Sequence, residues 1–264
     1  MFVLVKDIIK AMEILAPPFL KEDYDNVGLM VGDENKEVKR VLLALDCTKK
    51  VIEEAKFKNV DLIITHHPLL FKKPSSIVKQ ELQGEKIIEL IKNNISLYSS
   101  HTNLDVVSGG INDEIVKFLG FNNSEIIEKI DCKAYLSAGI GRMVRLNKKM
   151  TTEQIVSLVK EKLDIDNVRV VVGTNEINKI AIINGSGQDY FKKAIDAGCN
   201  CIITGDTTYH YVSDCKEMGI TVIDAGHFNT EWLIFLKVMK KIEDKFAGIT
   251  FYHSDVSKDP YEIY

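Results

Sequence analysis

A chain of 264 residues, 45% hydrophobic and 27% charged, carries enough apolar material for one large or two modest domains and too much for a disordered or low-complexity segment. Its formal net charge of -4 gives no basic footprint, so attraction to a nucleic-acid backbone is not supported. Charge at Lys6 and Asp7 interrupts the apolar start too early for a signal peptide, and no later run approaches the roughly 18 apolar residues that span a bilayer. The expectation is a cytoplasmic protein with no membrane partner. Five cysteines, none in a CxxC pair, fit a reducing compartment. Cys199 and Cys201 lie two apart in an apolar run and would face one side of a strand as packed thiols.

The first element is an amphipathic helix ending at Pro17 and Pro18. Short β-branched runs then alternate with helical stretches, the pattern of an α/β fold. Strands are predicted at 41–46, 61–67, 95–101, 168–173, 179–184, 201–206 and 220–227, with helices between them that stop at Asn59, Gly120, Gly198 and Gly219. The stretch 133–150 breaks the alternation and reads as extra strands or as a linker between two lobes.

An internal echo accompanies this order. Shifting 44–65 by 139 residues lays it on 183–204 without a gap, so that IIT (63–65) falls on IIT (202–204) and Ala55 on Ala194. A second pair follows: His101 precedes Asp105 by four residues, and His227 precedes Glu231 by four. Any two βαβ units share such features. If the echo is a true repeat, two related α/β lobes, 1–130 and 131–264, flank a cleft, and ligands collect at the carboxyl ends of their strands.

Five of the six histidines sit at or just past predicted strand ends: His66, His67, His101, His210 and His227. His66 and His67 would point to opposite faces of a regular strand, but Pro68 ends the pleat and lets both rings turn toward the cleft. Adjacent, divergent imidazoles suit two metal ions better than one. His227 and Glu231 would share a helical face, and a carboxylate can bridge two cations. Asp105 is expected on a loop after Thr102 and Asn103; the alternatives are that it caps a helix starting near Ile111 and that Glu231 pairs with a lysine. Three imidazoles and two carboxylates fit Zn, Fe, Mn, Co or Ni better than Ca or Mg, and two ions so held would keep open positions. Asp206, His101 and His210 stand beside these residues as candidates for proton transfer or for orienting the ligands. The turn NGSGQD (184–189) either holds phosphates on its amides or is an ordinary strand-to-helix turn.

At these residues the chain resembles the GTP cyclohydrolase 1 type 2 homologues, also called NIF-three-like or dinuclear metal centre proteins. The resemblance runs nearly end to end, through YDNVGLMVGD (24–33), ITHHPLLF (64–71), SSHTNLDVVSGGIND (99–113), TGDTTYH (204–210), DAGHFNTE (224–231) and HSDVSKDP (253–260). It implies that His66, His67, Asp105, His227 and Glu231 hold two divalent metal ions, and that the chain forms two α/β lobes and a ring-shaped homohexamer. Longer members carry an additional domain, for which this chain is too short, so 133–150 is expected to be a connection. Some relatives have glutamate where Asp206 stands. The activity implied is hydrolysis of GTP at the imidazole ring of guanine by hydroxide generated at the metals. A hydrolase of another nucleotide or phosphoester, and a metal-binding interaction protein or metal carrier without turnover, are the alternatives.

Overall fold

The computed structural model describes residues 2–263 and contains two compact α/β units, each built on its own sheet. Unit one comprises the chain through Leu104 together with Phe235–Lys258; unit two is Asp105–Ile234 and the chain from Asp259. A single cut after residue 130 does not describe this division, because the C-terminal strand returns to the first sheet. No helix among the described residues is long and apolar enough to cross a membrane.

In chain order unit one supplies α1 (Val5–Leu15), β1 (Gly28–Val31), β2 (Arg40–Ala44), α2 (Lys49–Phe57), β3 (Leu62–Thr65), α3 (Leu82–Lys92), β4 (Ser96–Ser99) and the start of α4 (Thr102–Val106). Unit two follows with α5 (Ile111–Phe118), β5 (Ser124–Lys129), β6 (Gly139–Met150), α6 (Thr152–Leu163), β7 (Arg169–Val171), β8 (Ile177–Ser186), α7 (Phe191–Asp196), β9 (Cys201–Gly205), α8 (Tyr209–Glu217), β10 (Thr221–Asp224) and the first half of α9 (His227–Glu243). The second half of α9 and β11 (Thr250–His253) belong to unit one.

The first sheet runs β1-β4-β3-β2-β11, parallel throughout except for β1. Its middle strands are apolar on both faces: Leu42, Ala44, Ile63 and Leu97 pack with Val51, Ile52, Ile87 and Leu90 of α2 and α3, while Val41, Leu43, Leu62 and Ile64 are equally buried. Such continuous runs are what a sheet covered on both sides requires. The second sheet runs β5-β6-β8-β9-β10-β7, with β8, β9 and β10 parallel and the other pairings antiparallel.

Each of the seven predicted strands is present, six of them shorter or shifted by a residue or more and β8 longer at both ends than predicted; β1, β5, β6 and β11 are additional. The stretch 133–150 is not merely a connection, since Gly139–Met150 forms the longest strand of the second sheet and pairs on both sides. All four expected helix stops, Asn59, Gly120, Gly198 and Gly219, adopt positive φ one residue past the helix cap. That left-handed residue lets the last turn close on its own carbonyls.

The echo corresponds to β2-α2-β3 and β8-α7-β9, two parallel crossovers in the same order. Thr65 pairs with Ser99 and Thr204 with Asp224, which places Ser99 on Asp224, an offset of 125 residues. The His101/Asp105 and His227/Glu231 pairs are separated by 126. The second correspondence is therefore one residue out of phase: His227 opens its helix, whereas His101 stands just before its own.

Candidate metal centre

In unit one, β3 ends at Thr65 and the ladder breaks at Pro68, so His66 and His67 do not alternate faces. Their ring centroids lie 5.1 Å apart, and the ring of His101, from the end of β4, is 5.2 Å from His66 and 5.6 Å from His67. One ring nitrogen of each of the three falls within 4.8 Å of the others. His66 is fully buried; His67 and His101 are half-buried.

Every ring in this cluster is fixed through Nδ1. His66 Nδ1 donates to the Ser100 carbonyl (2.9 Å), His67 Nδ1 to Asp46 Oδ1 (2.9 Å) and His101 Nδ1 to Asp25 Oδ1 (2.8 Å). Since each acceptor is a carbonyl or carboxylate oxygen, each Nδ1 carries the hydrogen, and the neutral ring turns an Nε2 lone pair outward. Asp25 is buried. Burial alone would raise its carboxyl, but the hydrogen bond from His101 and the two donors of Thr102 hold it well below the usual carboxylate range.

Unit two gathers carboxylates. Glu231, buried one turn into α9, has Oε2 3.0 Å from His227 Nε2, the (i, i+4) pairing expected of one helical face. His227 Nδ1 donates to Asp206 Oδ2 at 2.7 Å, so the opposite nitrogen needs a second proton or a cation to approach Glu231 this closely. Asn184, near the end of β8, donates through Nδ2 to both Asp105 Oδ1 (2.8 Å) and Glu231 Oε1 (2.9 Å). One amide thus holds two carboxylates together. Gly185, at φ +54°, leaves the space Glu231 occupies: a Cβ there would lie 2.2 Å from Oε1.

Asp105 sits in the short helix α4, not on a loop. It does not cap α5, whose N-cap is Gly110; the carboxylate that turns back to this segment is Asp113, accepting from the Gly109 amide. The partners of Glu231 include His227 and Asn184. The NGSGQD turn spends its polar groups internally: the Gly185 amide goes to Thr230 Oγ1 (3.0 Å), and Gln188 Oε1 accepts from the amide and hydroxyl of Thr208. It is a strand-to-helix turn shaped around Glu231. Asp206, in the left-handed region at φ 49°, orients His227. His210 is exposed at the start of α8 with its ring against Tyr209, and no hydrogen bond joins it to His227 or Glu231.

Sequence reasoning named the rings and, among the side chains that hold them, only Asp206. Asp25, Asp46 and Asn184 are the residues it left out. Each is a polar side chain at or near a strand end or in a turn, a signal shared with many ordinary turn residues.

Two α/β units whose strand ends carry imidazoles with their Nδ1 atoms tied back, and carboxylates gathered by an amide, define a class of α/β proteins built to present imidazole and carboxylate donors. The model of the DUF34/NIF3 family (NGG1p interacting factor 3) matches residues 3–260, and the chain belongs to this family. A Clostridium perfringens protein named GTP cyclohydrolase 1 type 2 homolog is 53% identical over 261 residues, covering 98% of this chain and 99% of its own. A Staphylococcus aureus crystal structure, described as a hypothetical protein, shares 31% identity with a TM-score of 0.90 over 100% of both chains. A Bacillus cereus protein related to NIF3 has the same fold, with a TM-score of 0.92 at 24% identity over 100% of both chains.

Proposed function

We propose that the protein is a metal-dependent hydrolase in which His66, His67, Asp105, His227 and Glu231 hold two divalent ions. The observation that carries this reading is the shared state of the four rings His66, His67, His101 and His227: each donates Nδ1–H to an oxygen, the arrangement that fixes a metal-binding imidazole and raises its basicity. The close approach of His227 Nε2 to Glu231 Oε2 fits a cation bound there. Imidazole mixed with carboxylate suits Zn, Fe, Mn, Co or Ni.

Ions so held would polarise water and a substrate oxygen and supply a nucleophile near neutral pH. The chain's own groups do the rest. Asn184 keeps Asp105 and Glu231 in place against their mutual repulsion, and Asp206 keeps His227 in the required tautomer. His101 presents Nε2 beside His66 and His67 and takes up the proton released when water attacks. The substrate we propose is GTP, opened by one water at the imidazole carbon of guanine to a formamide, from which a second water releases formate; the name borne by the Clostridium perfringens relative supports it. We place this activity in the cytoplasm and in a homohexamer.

The test is direct. Protein purified without chelator is assayed for metal per chain, for mass by light scattering, and for ring-opened formamide and formate from GTP. Two ions per chain, a hexameric mass and turnover that disappears in a folded Glu231→Gln variant are expected. Fewer than one ion per chain overturns the metal centre, and neither ring-opened formamide nor formate from fully metallated protein overturns GTP as the substrate.

A further inference from the structure

The buried carboxylate of Asp25 receives four hydrogen bonds, and their arrangement leaves it no freedom. Oδ1 accepts from the Asn26 amide (2.7 Å) and from His101 Nδ1 (2.8 Å); Oδ2 accepts from the Thr102 amide (3.1 Å) and the Thr102 hydroxyl (2.5 Å). Each oxygen therefore takes one backbone N–H, a donor that cannot change its sense, and one side-chain donor. Only a group that accepts on both oxygens satisfies all four.

We propose that Asp25 is a positioning residue: it locks His101 in the Nδ1–H tautomer and so holds Nε2 beside the rings of His66 and His67. Asp25 touches no substrate in this role; it acts through His101, and the consequence for turnover rests on the hydrolase reading above. Buried carboxylates set imidazole tautomers in this way in nucleophilic and metal sites alike. Here the carboxylate comes from the loop between α1 and β1, 76 residues before the histidine it orients. The Asn26 side chain donates to the Leu70 carbonyl (2.7 Å) and ties that loop to the segment following His67.

An asparagine at position 25 cannot reproduce this. Its single oxygen must serve a backbone amide on one side, and its NH2 then faces donors on the other. With the oxygen toward Thr102, which supplies two donors, the NH2 points at His101 Nδ1 and forces the hydrogen onto Nε2. Asp25→Asn should thus invert the tautomer while keeping size and shape.

The experiment is a long-range nitrogen–proton NMR correlation on full-length, histidine-labelled protein, with His101→Gln used to assign the ring. Metal-free wild type should show His101 as the Nδ1–H tautomer, and Asp25→Asn should show Nε2–H. Where turnover is measured, Asp25→Asn should lower kcat by about 10- to 100-fold with little change in KM. If Asp25→Asn does not fold, wild type decides alone, supported by Thr102→Val, which removes one donor from Oδ2 and should leave the tautomer as it is. An Nε2–H tautomer in wild type, or an unchanged tautomer in folded Asp25→Asn, overturns the proposal. Failure to turn over GTP with the tautomers as expected overturns only GTP as the substrate.

Discussion

The two units solve the same problem by opposite means. In unit one each ring has its own acceptor, Ser100, Asp46 or Asp25, so the imidazole cluster is assembled one residue at a time. In unit two the carboxylates of Asp105 and Glu231 have no such independence, because a single amide, Asn184, donates to both and a missing Cβ at Gly185 makes room for one of them. Neutral rings tolerate one another without a counter-charge, whereas two carboxylates near one point need donors or cations between them. The carboxylate cluster of unit two should accordingly be more fragile than the imidazole cluster of unit one.

The largest expected effect is at the residue where that fragility concentrates. Glu231→Gln keeps the shape but removes the charge facing His227, and turnover should fall to background with loss of at least one ion per chain by elemental analysis. Retention of both ions and of turnover would remove Glu231 from the site. Next comes Gly185→Ala, which adds a Cβ 2.2 Å from Glu231 Oε1 and puts a side chain at φ +54°. Left-handed strain and displacement of Glu231 together should cost about 2–4 kcal/mol in urea unfolding. A cost under about 0.5 kcal/mol would show that Glu231 moves freely. Asn184→Ala leaves the chain folded but removes both donors, and metal affinity should drop about 10- to 100-fold by competition with a chelator. The matching change in unit one, Asp46→Ala, removes one ring's acceptor only and should do less; equal losses would abolish the contrast.

How much of this the sequence made legible follows the same division. The middle strands were readable because β-branched runs bounded by turn residues have few alternatives, and the helix stops because Asn and Gly are the residues that accept positive φ. β1, β5 and β11 were missed because they are short, edge or half-exposed strands with weak alternation, and 133–150 was left between extra strands and a linker because the second half of β6, LNKKM, is polar. Single cuts of a sequence cannot anticipate a strand such as β11 that returns to the first sheet. In the site, histidines stood out by scarcity and strand-end position. The offset between the repeats was misjudged by one residue, since a spacing of four in both motifs hides that one histidine precedes its helix and the other begins it. Asp25 and Asn184 were illegible for a deeper reason: what they hold comes from 76 and 47 residues away.

His210 offers a smaller and more local check. It lies in one of the motifs that carry the family resemblance, yet its ring is exposed and meets only that of Tyr209 among the described residues. His210→Ala should leave stability within about 0.5 kcal/mol and metal content unchanged. Loss of an ion in this variant would enlarge the ligand set proposed for unit two beyond His227, Asp105 and Glu231.

The smallest effects come from thiols that report on each unit separately. Cys47, in the core of unit one, is pushed by burial up to about 12, and Cys199 in unit two up to about 11, while Cys132 is only half-buried. At pH 8 the thiolate fraction of Cys47 is then on the order of 10⁻⁴ and that of Cys199 on the order of 10⁻³, so alkylation of either requires the unit to open. Iodoacetamide under native conditions should modify Cys132 first, with Cys47 and Cys199 following at opening rates that mass spectrometry separates by peptide. Because burial favours the neutral thiol, the contribution of Cys47 is fully present below its ordinary value near 9 and declines as pH rises from there toward 12. Opening should therefore accelerate on the alkaline side. If unit two is the more fragile half, Cys199 is labelled before Cys47 in metal-free protein, and added metal narrows the gap. Simultaneous labelling with and without metal would show that the two units open as one.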